Sequence, residues 1–479
     1  MNRQVKHLFG LVVVLFALLV AFTSNWTVFT AQSLEDNSAN RRPLLEQQLV
    51  PRGLIRARDG TVLAESDGSG RGERRRYKRR YPQGTLFSHA VGYSFLELGR
   101  AGIEQSRNDE LTGAADSVES FIDELLGRTA EGDDLLTALD PKGQRAAIQA
   151  LGGQRGSIVA IEPETGRIRV MVSVPAFDPN EIPDRFRELN ADEDSPLFNR
   201  ATQGRYPPGS TMKVVTAAAA LDSGRFTPGS VVDGASNKRI GGVPLQNFGN
   251  QDYGPISLTE ALTNSVNTVW GQVAQRLGKE EYYDYMERFG FNVEPPMDYP
   301  QNQLTPSGVY GPRGRLLDED DPVDIGRVAI GQERLQVTPL QMATVAATVA
   351  NEGSRMEPRL GERVVARDGR LEERVRTAEA AQVMSRDAAN QLKAMMAQVV
   401  KEGSGTQAAL EGVPVAGKTG TAEVDGGASN QAWFIGFAPL DDPRMAVAVT
   451  VERTSGQGGT VAAPIAKKVL QALLSGRRG

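Results

Sequence analysis

Tyr206-Pro-Pro-Gly-Ser-Thr-Met-Lys213 runs at once into Val-Val-Thr-Ala-Ala-Ala-Ala-Leu-Asp-Ser-Gly224, and the rest of the chain is read outward from it. Two prolines and a glycine stop whatever precedes, and the alanine-rich run reads as a helix closed by Gly224. Ser210 then stands at or just before the helix N-terminus, with Lys213 three residues on and on the same face. A serine hydroxyl is a weak nucleophile until a neighbouring base takes its proton. The chain offers few bases: it has no cysteine, and its two histidines are His7, beside an apolar run, and His89, far from Ser210 in sequence. Lys213 is therefore the expected base.

A Ser-x-x-Lys pair arises readily by chance, so context decides. Ser265-Val-Asn267 lies 55 residues past Ser210, and Lys418-Thr-Gly420 lies 153 residues past Ser265. Ser-x-Asn alone is a common helix-cap pattern, and Lys-Thr-Gly alone is a plausible turn. Together, in this order, they are the trio of serine enzymes that react with penicillins. Acyl transfer assigns each a task. Ser210 attacks a carbonyl carbon, and Lys213 accepts its proton if burial and a second cation, Lys418, keep it neutral. Ser265 is suited to relay a proton to the leaving group, and Asn267 to hold the substrate amide or orient Lys213. Backbone N–H groups of Ser210 and Thr421 are suited to the oxyanion, and the hydroxyls of Thr419 and Thr421 to a terminal carboxylate. Gly420 is expected to let substrate lie along a strand edge. This chemistry calls for no metal and no cofactor.

At 479 residues the chain is long enough for two or three domains. Its net charge of −5 gives no general attraction to nucleic acid. Zero cysteines exclude a disulfide scaffold and thiolate metal sites. Near the N-terminus, Arg3 and Lys6 precede an apolar run from Leu8 to Phe22, which Trp26, Val28 and Phe29 extend. That is enough for one bilayer crossing over residues 8–29, with residues 1–7 in the cytoplasm and everything later outside it. A cleaved signal peptide is the rival, but no convincing small-x-small site follows Phe22.

Residues 30 to 40 read as a polar linker. Arg58-Asp-Gly60 reads as a hairpin turn, and the basic run from Arg71 to Arg80 as a solvated loop or strand edge, with contact to anionic head groups or wall polymers as the sharper alternative. A helix is expected over Lys142 to Leu151, and a hairpin over Ser157–Ile161 and Ile168–Val172 opens the second domain. Leu258 to Gly278 reads as one helical stretch, Gln301 to Asp324 as a surface loop, and Thr338-Pro starts a further helix. Strands over Val413–Val424, Ala432–Ala438 and Ala446–Val451 form an antiparallel meander, and a last helix over Pro464 to Leu474 can cover it. The architecture is α+β, an antiparallel sheet flanked by helices.

The chain resembles the class B, monofunctional penicillin-binding proteins along nearly its whole length. The likeness rests on Pro-Pro-Gly-Ser210-Thr-Met-Lys213, Ser265-Val-Asn267 and Gly417-Lys-Thr-Gly-Thr-Ala-Glu423. It is supported by Gly331-Gln332, Thr338-Pro-Leu-Gln-Met-Ala343 and Ala432-Trp-Phe-Ile-Gly-Phe-Ala-Pro439. Pro51-Arg-Gly-Leu-Ile, Arg58-Asp-Gly-Thr-Val-Leu-Ala64 and Ala101-Gly-Ile-Glu104 look like that family's pedestal motifs, most like its penicillin-binding protein A group. The resemblance implies a membrane-anchored pedestal over 30–150 and a penicillin-binding transpeptidase domain over 151–479. It implies a D,D-transpeptidase that cross-links peptidoglycan stem peptides, releases terminal D-alanine and is acylated by β-lactams. No glycosyltransferase fits into residues 30 to 150, so a separate membrane glycan polymerase is the implied partner, alongside division or elongation proteins. A β-lactamase, a D,D-carboxypeptidase and a scaffold share parts of this pattern. For the first, Glu294 is the nearest stand-in for a deacylating glutamate, but Glu-Pro-Pro-Met-Asp does not match that loop.

Overall fold

A computed structural model describes residues 3–24, 49–70, 76–113 and 131–475. The expected linker over 30–40, the end of the apolar run over 25–29 and Arg71 to Arg75 of the basic run lie outside the described residues. The chain forms two compact units, residues 1–51 with 67–78, and residues 52–66 with 79–479. In the first, one helix, Arg3–Ser24, is long and apolar enough to cross a membrane, with mean hydropathy 1.8 over Arg3–Val20.

The second unit is built on a sheet and two helical layers. Helix α1 (Pro141–Leu151) starts where Asp140 accepts from the N–H groups of Lys142 and Gly143, with Pro141 at the first position. Strands β1 (Gly156–Ile161) and β2 (Ile168–Val174) form the expected hairpin. After helices α2 (Lys213–Asp222), α3 (Asn267–Leu277), α4 (Pro339–Ala350) and α5 (Arg386–Lys401) come strands β3 (Ala416–Val424), β4 (Ser429–Ala438) and β5 (Met445–Thr454) and helix α6 (Ala462–Leu474). The sheet is antiparallel throughout, in the order β3-β4-β5-β1-β2, which leaves β3 at one edge.

Both faces of this sheet are covered, so its strands are apolar on alternate residues in both directions. Ile158, Ala160, Phe434, Val447 and Val449 pack with Leu151 of α1 and with Ile465, Val469 and Leu470 of α6. Val159, Ile161, Trp433, Ile435 and Ala448 face the other way, into the main core with α2 to α5. Helix α4 runs through that core with all twelve residues buried, which its alanine, threonine and valine content permits. Thr338 caps it by accepting from Gln341 N–H, as the Thr-Pro start led one to expect.

The N-terminal elements build a second, mixed sheet. Ile55–Arg56 pairs antiparallel with Val62–Ser69 around Asp59-Gly60 and parallel with Asp134–Thr137. Gly361–Val365 returns from between α4 and α5 to pair with Asp134–Thr137, and Leu371–Arg374 pairs outside it.

Three readings change. The stretch from Leu258 to Gly278 is two helices, Leu258–Thr263 and α3, because Ser265 takes φ 59° and turns the chain between them. The segment from Gln301 to Asp324 is irregular but not wholly superficial: Leu304, Ser307, Val309 and Leu317 are buried. The described part of the basic run, Arg76–Arg80, is a strand, as one half of its reading had it, but Arg79 within it is no solvated charge. It is 5% exposed and bonds Glu104 at 2.5 Å, while Arg52 holds the same carboxylate at 2.9 Å. Burial pushes Glu104 up, and the two guanidiniums overcome it to hold the carboxyl below its usual range.

Candidate active site

Ser210 sits in a single 3-10 turn, Gly209–Met212, that leads into α2. Gly209 takes φ +52° there, donates to Gly331 C=O at 3.1 Å, and could not carry a Cβ, which would stand 2.7 Å from Thr421 O. The segment before it is held from three sides. Tyr206 exchanges backbone bonds with Val337, its ring meets Trp433 edge-on at 6.2 Å, and Trp433 Nε1 donates to Pro207 C=O at 3.0 Å. Tyr206 O–H donates to Glu452 at 2.6 Å, and Arg200 Nε donates to the same carboxylate oxygen at 2.8 Å.

Lys213, the first residue of α2, is fully buried. Its Nζ lies 2.7 Å from Ser265 C=O, 3.1 Å from Ser265 Oγ and 2.6 Å from Asn267 Oδ1. The turn at Ser265 is what aims that carbonyl at the lysine. Asn267 heads α3, and its Nδ2 donates to Gln246 C=O at 2.8 Å, which fixes which way the amide faces. Lys418, on β3 and also fully buried, donates to the same Ser265 Oγ at 2.9 Å and to Thr419 C=O at 3.1 Å.

Among the described residues, no carboxylate partners either lysine. Burial pushes Lys418 down to about 7. Burial, and then the charge of Lys418, pushes Lys213 well below the ordinary lysine value. A neutral Lys213 fits its surroundings: two N–H bonds go to the carbonyl oxygens of Ser265 and Asn267, and the lone pair accepts from Ser265 O–H. Ser265 Oγ lies between the amines of Lys213 and Lys418.

The structure thus joins Lys213, Ser265, Asn267 and Lys418 by hydrogen bonds and places Ser210 one turn before Lys213, half-buried and outside that set of bonds. Thr419 Oγ1 bonds Ser404 Oγ at 2.6 Å, and Thr421 Oγ1 accepts from Gly458 N–H at 3.0 Å. At Gly420 a Cβ would stand 2.6 Å from Pro208 O and 2.9 Å from Thr211 Cγ2, so the missing side chain makes room for the Ser210 turn. Glu294 is exposed. Sequence reading missed Ser404, Gln246, Gly458 and the Glu452 clamp; only the glycines around Ser404 hinted at close packing there. Among the described residues no group of three or more His, Asp or Glu side chains could hold a metal ion.

A buried lysine three residues past a half-buried serine, a hydroxyl shared by two lysines, and a terminal sheet strand are the parts expected of a serine acyltransferase site. Residues 156–471 match the family described as penicillin binding protein transpeptidase domain, and residues 52–135 match the penicillin binding protein A dimerisation domain. The chain belongs to the class B penicillin-binding proteins. It is 34% identical to the peptidoglycan D,D-transpeptidase PbpA of Mycolicibacterium smegmatis, across 99% of both chains. It is 33% identical to PbpA of Mycobacterium tuberculosis, across 99% of this chain and 100% of that one. The ceftriaxone acyl-enzyme complex of penicillin-binding protein A from M. tuberculosis superposes with a TM-score of 0.80 at 32% identity, covering 90% of this chain and 100% of that one.

Proposed function

We propose that the protein is a peptidoglycan D,D-transpeptidase that works through an acyl-enzyme on Ser210. The observation that carries this reading is the buried Lys213, bonded to Ser265 and Asn267. Ser210 Oγ attacks the carbonyl carbon of the last amide of a stem peptide, and its proton passes to Lys213 Nζ. The N–H groups of Ser210 and Thr421 hold the oxyanion, and one such donor is typically worth about 3 kcal/mol of barrier. As the C–N bond breaks, Ser265 passes a proton to the departing amine of terminal D-alanine. The amine of a second stem peptide then attacks the ester and restores Ser210, leaving the cross-link. Asn267 orients Lys213, and Lys418 supplies the second cation. The hydroxyls of Thr419 and Thr421 take the terminal carboxylate, and the backbone at Gly420 lines the open edge of β3.

In the same reading, residues 1–7 are cytoplasmic, 8–29 anchor the protein in the cell membrane, 30–150 form the pedestal and 151–479 the catalytic domain outside the cytoplasm. The partners are a membrane glycan polymerase and other division or elongation proteins. Relatives form acyl-enzymes with ceftriaxone and penicillin G, and this chain is expected to do so too. Intact-mass spectrometry after exposure to penicillin G tests the reading. One stable adduct is expected on the wild type and none on Ser210→Ala. Rapid hydrolysis of the drug without an adduct, or an adduct that survives in the variant, would overturn it.

A further inference from the structure

Ser404 lies outside all three motif segments, in Gly403-Ser404-Gly405 just past α5, and its Oγ is 2.6 Å from Thr419 Oγ1. Backbone closes tightly on this turn. A Cβ at Gly403 would stand 2.5 Å from Thr263 O, two residues before Ser265, and one at Gly459 would stand 2.5 Å from Ser404 O. Ser404 is therefore set between the helix end that precedes Ser265 and the strand that carries Lys418. Its own side is exposed, whereas Thr419 is 6% exposed.

Two hydroxyls at 2.6 Å share one hydrogen, and either oxygen can give it. A carboxylate only accepts, so a carboxylate bound at Thr419 takes the threonine's hydrogen. Thr419 Oγ1 must then accept from Ser404, and the two bonds polarise each other in one direction. Without Ser404, the Thr419 hydroxyl loses the donor that turns its hydrogen towards the ligand.

We propose that Ser404 is a positioning residue for the free carboxylate of the substrate, acting through Thr419. This rests on the reading of Thr419 as part of the carboxylate site. The consequence is a selectivity. Ser404 speeds acylation by ligands that carry a carboxylate beside the scissile amide, and leaves acylation by neutral analogues alone.

The test compares penicillin G with its methyl ester on the full protein, following adduct formation by intact mass. The wild type is expected to react faster with the acid. In Ser404→Ala that preference should fall about 10-fold, the effect of a weakened bond to a charged group, while the ester rate stays within about two-fold. Ser404→Cys, which fills the same space with a weak donor, should lose the same preference. An unchanged preference, or equal slowing with acid and ester, would overturn the proposal, since a merely structural serine moves both rates together. A wild type that does not distinguish acid from ester would overturn the carboxylate reading of Thr419 itself, and Ser404's role with it.

Discussion

Two fully buried lysines share the hydroxyl of Ser265 with no carboxylate beside them among the described residues, an arrangement that burial makes unfavourable unless a proton is lost. Lys213 feels both burial and the charge of Lys418, which hold it well below the ordinary lysine value. Burial alone brings Lys418 down to about 7. The rate of Ser210 acylation should therefore fall above about 7 as Lys418 loses its charge. In Lys418→Arg, whose side chain keeps its charge, the alkaline limb should vanish even if the rate drops. Stopped-flow acylation from about two pH units below to two above the Lys418 value measures this; an alkaline limb that persists in the arginine variant contradicts it. Stability follows by linkage. Between about 7 and 10.5 the unfolded chain holds a proton at residue 418 that the folded chain has lost, so stability rises with pH across that window. Below it both states are protonated and the contribution is flat.

At the scale of the element, the Ser210 turn is a joint made by contacts to β3, β4 and β5 rather than the mere start of a helix. Glu452 on β5 holds Tyr206 and Arg200, Trp433 on β4 holds Pro207, and Gly420 on β3 leaves room for Pro208 and Thr211. Gly420→Ala must shift the turn, because Pro208 O at 2.6 Å and Thr211 N at 3.2 Å are backbone atoms that cannot rotate away. A displacement of that kind is worth about 100-fold in rate, and acylation of Gly420→Ala should fall by about that factor with the sheet still folded. Circular dichroism beside acylation kinetics checks both parts. An alanine variant that acylates at the wild-type rate would mean the turn and strand are not coupled as the structure places them.

Across the whole molecule, the chain does not finish one sheet before starting the next. After α4 it crosses to the mixed sheet, pairs Gly361–Val365 with Asp134–Thr137, and returns to begin α5, which ends beside Ser404. Asp298 fastens this excursion. Its oxygens accept from the N–H groups of Leu360 and Gly361 at 2.7 Å each, and Arg107 reaches it at 3.4 Å. Burial pushes the carboxyl up against those donors. Asp298→Ala leaves two buried N–H groups unpaired and should cost about 3 kcal/mol of unfolding free energy, read from urea denaturation. A loss within about 0.5 kcal/mol, the range of an ordinary surface change, would show that the excursion is held by other contacts.

The sequence by itself determined what depends on near neighbours. Ser210 and Lys213 fall on one helical face because they are three residues apart, Thr338-Pro339 caps α4, and alternating apolar residues made the strands of the meander legible. The order of the three motifs was enough to expect a serine acyl-transfer site of the family to which the chain belongs. Only the tertiary structure decided the rest. The turn at Ser265 breaks a run that reads as continuous helix, because Lys213, 52 residues away, takes the carbonyl the turn exposes. Arg79 is buried in a run that reads as a solvated loop or strand edge, because Glu104 and Arg52 meet it in the core. Glu452 reaches Tyr206 across 246 residues, and Ser404 reaches Thr419 across 15. Propensity and periodicity act over a few residues, whereas these contacts exist only once the sheet order and the helices covering it have brought distant segments together.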